Sequence, residues 1–313
     1  MKKFCFGVDI GGTSVKLGLF SSEGELLEKW EIPTRKEEKG AYILKDIAQS
    51  IESKREEKQM TKEQIIGIGL DAPGPVTDDG TIHVCVNVGW GTFNLVEEFE
   101  ALTGYIVKVG NDANVAALGE SWKGGGKGCD NLVMVTLGTG VGGGIIINGK
   151  MVAGVNGAGG EIGHMFAVPE ETQPCNCGRI GCLEQAASAT GIVRVAKRFI
   201  QKEEKESTLK QIKELTAKDV LDCAKQGDSL ALEIMEYVCE HLGIVLSNIA
   251  CVVDPEIFVI GGGVSKAGDF LLNCIEKYYQ KYAFYACKNT KFVIATLGND
   301  AGIYGGARLI LGK

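Results

Sequence analysis

The sequence has no surplus of positive charge: 33 Lys and Arg stand against 40 Asp and Glu, a formal net charge of −7. A protein built around nucleic acid usually carries a basic footprint, so that partner is disfavoured. No run of 18 uninterrupted apolar residues occurs, so neither a transmembrane helix nor a membrane partner is expected. The start, Met1-Lys2-Lys3-Phe4-Cys5-Phe6-Gly7, lacks an apolar h-region and a small-residue cleavage site; no signal peptide is expected and the location is read as cytoplasmic. Histidine is scarce, at three residues, and no Gly-Lys-Ser/Thr of a Walker A loop is present.

What is present is length, glycine and thiols. At 313 residues the prior is two domains, each large enough for its own core. Glycine, at 44 residues, is about 14% of the chain against a usual ~7%. With no collagen-like period, that excess points to tight turns that bring backbone N–H groups close to phosphates. Of eleven cysteines, eight are scattered singly, as in Phe4-Cys5-Phe6, and read as small buried hydrophobes in a reducing compartment. Cys175, Cys177 and Cys182 form a cluster.

Phe4 to Val8 and Val15 to Phe20 read as strands joined by Gly11-Gly12-Thr13, a glycine hairpin. Val135-Thr136-Leu137-Gly138-Thr139-Gly140 repeats the pattern of Val8 to Thr13, so the chain reads as a duplicated α/β unit. Strand and helix then alternate: Tyr42 to Lys58 helical, Ile65 to Leu70 and Ile106 to Val109 strands, Ala186 to Gln201 and Lys218 to Lys225 helical. A long helical span follows over Ser229 to Ala250, then a strand over Glu256 to Ile260 ending in Gly261-Gly262-Gly263, and a helix over Ala301 to Leu311. The alternation predicts a mostly parallel sheet.

Asp9 ends a strand beside uncovered backbone N–H groups, a turn that suits phosphate oxygens while the carboxylate holds Mg²⁺ or its waters. Gly138-Thr139-Gly140 and the glycines after it suit the same task. Asp112, in Asn111-Asp112-Ala113-Asn114, reads in isolation as a helix N-cap; beside a sugar hydroxyl it is the base a phosphoryl transfer needs. Glu161 and His164 are three residues apart, and His164 followed by Cys175, Cys177 and Cys182 fits a closed tetrahedral Cys₃His site for structural zinc. Glu184 lies two residues past the last ligand.

Together these residues resemble the ROK (repressor, open reading frame, kinase) group of sugar kinases over nearly the whole chain. The resemblance rests on Asp9-x-Gly11-Gly12-Thr13, Pro73-Gly74-Pro75, Asn87 to Trp90, Asn111-Asp112, Leu137 to Gly144, Glu161-x-Gly163-His164, Cys175 to Glu184 and Gly261-Gly262-Gly263. It implies the actin-like ATPase (ribonuclease H-like) fold, with two domains of duplicated topology around a cleft. The small domain is placed at residues 1–112, joined by a C-terminal helix at about 300–313; the large one is placed at 113–299, with an inserted zinc loop at 164–182. It implies ATP-dependent phosphorylation of glucose at the 6-hydroxyl. Fructose, mannose or an N-acetylhexosamine are the other acceptors in view, polyphosphate the other donor, and a sugar-sensing regulator the other class. A repressor of the family would carry a helix-turn-helix ahead of Asp9, where only eight residues stand. Asp112 becomes the catalytic base; Asn87, Asn111, Glu161, His164 and Glu184 hold sugar hydroxyls with it. Asp9, Gly11, Gly12, Thr13, Lys16, Gly138, Thr139 and Gly140 serve the ATP phosphates, and Gly261 to Gly263 the adenosine side. His164 would bind zinc through one ring nitrogen and the sugar through the other. A homodimer or higher homo-oligomer is expected.

Overall fold

The computed structural model describes residues 2–85 and 87–312. Its strands are β1 (Phe4–Ile10), β2 (Ser14–Ser21), β3 (Leu26–Pro33), β4 (Ile65–Ala72), β5 (Thr81–Ile82), β6 (Phe93–Asn94), β7 (Val107–Asn111), β8 (Leu132–Leu137), β9 (Val141–Ile147), β10 (Lys150–Met151), β11 (Ile257–Gly261) and β12 (Lys291–Ile294). The helices are α1 (Glu37–Gly40), α2 (Ile43–Glu57), α3 (Leu95–Thr103), α4 (Asp112–Lys123), α5 (Glu184–Ala187), α6 (Ala189–Lys202), α7 (Ala217–Lys225), α8 (Ser229–Val253), α9 (Asp269–Tyr282) and α10 (Ala301–Leu311).

The chain forms two compact units: Met1–Asp130 with Gly144–Gly160 and Thr296–Lys313, and Asn131–Gly143 with Glu161–Ala295. The first sheet runs β3-β2-β1-β4-β7 and the second β10-β9-β8-β11-β12, the same order twice. The duplicated architecture expected from the two glycine turns is present. The mostly parallel sheet is not. Glycine turns make β1 and β2 antiparallel neighbours, and β3 pairs antiparallel with β2, so each sheet is mixed: β1, β4 and β7 pair parallel in the first, and β8, β11 and β12 in the second.

Strand alternation decides what lies on each face of the first sheet. Phe6, Val8 and Ile10 point into one core with Ile47, Ile51 and Phe99; Cys5 points the other way, towards Ile303, Ala307 and Ile310 of α10. On that second face the sheet shows glycine where a side chain is expected. A Cβ on Gly69 would overlap the Gly306 carbonyl, and one on Gly305 would overlap the Val115 carbonyl of α4. Part of the glycine excess thus serves helix-on-sheet contact rather than phosphate binding, a use not read from composition.

In the second unit α8 is capped by Asp228, which accepts from Leu230 N and Ala231 N, and ends at Asp254 in the left-handed region just before Pro255. By length and composition it could cross a bilayer, yet half of that stretch is buried, and it packs on α6, α7 and α9. The helix expected over Ala186 to Gln201 is broken at Ser188, whose hydroxyl accepts from Gly191 N and starts α6. Strands β3 and β12 and helices α3 and α9 were not anticipated.

Candidate active site

The parallel strands of the first unit set its polar end. Asp9 of β1 is in register with Asp71 of β4, and Asp71 with Gly110 of β7, so Asp9, Asp71 and the Asn111-Asp112 step arrive together at the carboxyl ends of three adjacent strands. Ligands of open α/β sheets bind at such ends. Asp71 is 1% exposed, and one of its oxygens accepts from Ile10 N at 3.0 Å. Burial first, then the charges of Asp9 and Asp112, push its carboxyl well above the usual carboxylate range; the Ile10 N–H and Lys16 oppose this. Asp9 is paired with Lys16 at 3.1 Å. A Cβ on Gly302, in the first turn of α10, would overlap Asp71 and stand 2.9 Å from Asp9. Both carboxyls therefore meet a helix N-terminus, which favours negative charge.

Asp112 is exposed at the first residue of α4. The cap of that helix is Asn111, not Asp112: Asn111 Oδ1 accepts from Ala113 N at 3.0 Å and Asn114 N at 3.2 Å, and its Nδ2 donates to the Gly74 carbonyl. Asn111 takes this role because it precedes the helix in extended backbone, as a cap must. Asp112 Oδ1 accepts from the local Ala113 N at 2.8 Å. In the first glycine turn, Gly11 N donates to the Ser14 carbonyl and Thr34 to the Gly11 carbonyl. The Lys36 ammonium stands 3.4 Å, and the Asn87 carbonyl 3.8 Å, from where a Gly12 Cβ would be.

The second unit brings His164, Cys175, Cys177 and Cys182 together, with one ligand atom from each inside 4.8 Å of the others. His164 Nδ1 is 3.8 Å from Cys175 Sγ, and Cys177 Sγ 3.6 Å from Cys182 Sγ. Zinc–sulfur bonds of ~2.3 Å in a tetrahedron put ligands about 3.7 Å apart, so the donor set fits the ion. Burial pushes the Cys182 thiol up to about 12, aided by the neighbouring thiols. Cys177 falls below its usual value: burial opposes, but the Arg179 backbone N–H and the other two thiols prevail. A short 3₁₀ turn over Ile162–His164 turns the other ring nitrogen, Nε2, to within 3.8 Å of Glu161 Oε2.

Glu184 links this cluster to the second glycine turn. One oxygen accepts from Val141 N at 2.9 Å, the other from the Cys175 thiol at 3.5 Å, and a Cβ on Gly140 would overlap the carboxylate. The carbonyls of Gly138 and Thr139 accept from Ala189 N and the Thr190 hydroxyl at the start of α6. Gly262, at φ +84°, lies against the Leu137 backbone where a Cβ would overlap. Beyond it Gly263 and Val264 join Ala189, Ala217 and Leu221 around a cavity of about 390 Å³ rimmed by Lys218 and Lys266.

The ROK family profile matches residues 5–313. The chain belongs to the ROK family. It is 48% identical over 310 residues to a glucokinase of Halalkalibacterium halodurans, covering 97% of this chain and 94% of that protein. It is 35% identical to a glucokinase of Thermotoga maritima, covering 97% and 96%. Among solved structures, a ROK glucokinase of Streptomyces griseus in complex with glucose and AMPPNP is 33% identical, with a TM-score of 0.75 and 98% of each chain covered. The ROK fold of this chain is thus the actin-like ATPase fold expected from its motifs.

Sequence reasoning missed two ionisable groups that the structure brings beside the predicted residues, Asp71 and Lys36. A carboxylate ending the apolar run Ile65 to Leu70, as Asp9 ends its own, was the available signal for Asp71. Lys36 had none, since it lies in a charged stretch and reaches the turn only through the fold.

Proposed function

We propose that this protein is a glucokinase, transferring the γ-phosphoryl group of ATP to the 6-hydroxyl of glucose. Its likeness to a glucokinase at 48% identity over nearly the whole of both chains carries the reading. Asp112 is the general base: it is exposed at the carboxyl end of β7 and relieved of capping duty by Asn111. It takes the hydroxyl proton as the oxygen attacks phosphorus, and the bond to the ADP oxygen breaks. Asn87, Asn111, Glu161, His164 and Glu184 are assigned to the other sugar hydroxyls.

The glycine turns at Gly11 to Thr13 and Gly138 to Gly140 receive the phosphates, with Lys16 and Lys36 supplying positive charge. Asp9 would hold Mg²⁺, which neutralises phosphate charge when bound. The cavity beside Gly263 and Val264 suits a nucleoside, apolar at its walls and cationic at its rim. His164, Cys175, Cys177 and Cys182 would hold a zinc ion whose four positions are all taken, so its chemistry is structural. His164 then has a fixed tautomer, leaving Nε2, near Glu161, for the substrate. The working form is taken as a cytoplasmic homodimer or larger homo-oligomer, a state that light scattering measures.

The test is a coupled assay of ADP release with glucose, fructose, mannose and N-acetylglucosamine, repeated with polyphosphate as donor. Glucose with ATP should give the highest kcat/KM. Another sugar preferred tenfold would replace the acceptor, and no turnover with any sugar would leave a sensor.

A further inference from the structure

β7 is the edge strand of the first sheet, and beside it the first unit holds a cavity of about 710 Å³ that none of the chemistry above uses. Its size is that of a small-molecule site. The walls come from β7, the turn at 76–80, the β9–β10 hairpin, α4 and α10. Val109, Leu118, Met151 and Leu309 make them apolar in part.

Three cations enter from three elements: Lys108 of β7, Lys150 of β10 and Arg308 of α10. Lys108 is in register with Gly69, the residue that meets Gly306, so its side chain leaves the sheet on the face covered by α10. Arg308 is half-buried, and no described residue gives its side chain a hydrogen bond or ion pair. Burial holds its guanidinium below the ordinary value, with the Asp130 charge opposing. The guanidinium nitrogens still reach solvent, so an anion in the cavity can meet them. Asp78, Asp79 and Asp130 line the same cavity and can accept from hydroxyls.

We propose that this cavity binds a small hydroxylated organic phosphate, with the phosphate held by Arg308, Lys108 and Lys150 and the hydroxyls donating to Asp78 and Asp130 at the rim. A phosphate offers three terminal oxygens to donors arriving from three directions, where a carboxylate offers two. No aromatic ring is among the described lining residues, so a base has nothing to stack on. A phosphorylated polyol fits better than a nucleotide.

Met151 supplies the readout, since it lines the cavity and its methyl lies 2.8 Å from where a Gly110 Cβ would stand. In protein labelled with ¹³C at the methionine methyls, with the signal assigned by Met151→Leu, glucose 6-phosphate should move the Met151 resonance saturably. Inorganic phosphate should do so more weakly, and glucose alone should not. Arg308→Gln should raise the apparent Kd at least tenfold, the loss of a charged hydrogen-bonding partner. Lys150→Gln, at an exposed hairpin position, should raise it by a smaller factor and gives the same test if the arginine variant fails to fold. A resonance unmoved at millimolar glucose 6-phosphate, one that follows glucose alone, or a Kd unchanged in the folded variants would overturn the site. The measurement needs no turnover, so its failure and that of the kinase reading are separable.

Discussion

In the first unit Asp9 and Asp71 are held in register by parallel strands, and Asp112 reaches the same end of the sheet just past Gly110, the partner of Asp71 on β7. In the second, His164, Cys175, Cys177 and Cys182 converge from a 3₁₀ turn and a loop, where the registered strands of that unit play no part. One cluster is fixed by backbone pairing and survives a change of side chain. The other is held by one short bridge, Phe166 with Cys182, and by local turns, so its four side chains and a bound ion would carry much of its local order. Substitution of the exposed Asp112 should therefore change chemistry while sparing structure, and substitution in the second should change both.

The largest effect expected is at Asp112. Asp112→Asn keeps the shape but cannot accept a proton, and loss of a general base costs on the order of 10²–10⁴ in rate. Glucose affinity should stay within a few-fold, and the thermal transition should not move. A kcat within tenfold of the parent would remove the base assignment and, with it, the claim that the registered strands carry the chemistry.

Next comes the thiol cluster. Protein purified without added metal should contain one zinc per chain by elemental analysis. Cys182→Ser should lose it, lower the melting temperature, and raise KM for glucose by about the 10–100-fold associated with disturbed metal sites. A zinc-free parent with full activity would break the comparison outright. So would a serine variant with unchanged KM and melting temperature.

The third effect is structural. Gly305→Ala places a methyl against the Val115 carbonyl where α10 and α4 touch, an overpacking that costs about 1–3 kcal/mol. Calorimetry should show a melting temperature lower by a few degrees with zinc content unchanged. Loss of zinc in this variant would mean that the second cluster also depends on packing in the first unit.

These two regions were not equally legible in the sequence. Cys175 to Cys182 lie within eight residues and carry their chemistry in their spacing, so the cluster they form with His164 could be read directly. Asp9, Asp71 and Asp112 are separated by whole β-α segments, and what joins them is strand register, which a sequence does not print. Asp9 and Asp112 were found through motifs; Asp71, outside them, was not. The same limit hid the antiparallel β3, whose alternating half-buried pattern depends on pairing with β2, and it hid the glycines of α10, whose need for close contact exists only once the helix lies on the sheet.

The smallest effect, and the one that sharpens the comparison most, is at Asp71. Its carboxyl titrates above the unfolded value of about 3.9 because it is buried beside Asp9 and Asp112. In the range between those two values the folded state holds a proton that the unfolded state has released. Stability is then greatest at low pH and is lost as pH rises through the folded value. Asp71→Asn has no proton to lose, so its melting temperature relative to the parent should climb as pH rises above the unfolded value and level off beyond the raised folded one. Its kcat should remain within about tenfold, since an amide keeps the acceptor for the Ile10 N–H. Asp71 and Asp112 are then two carboxyls at one strand end with opposite duties, one holding backbone and one taking a proton. A flat difference in melting temperature across that range would mean that Asp71 is ionised in the fold. A rate loss matching that of Asp112→Asn would mean that its charge belongs to the reaction, and the register would then deliver two working carboxylates rather than one.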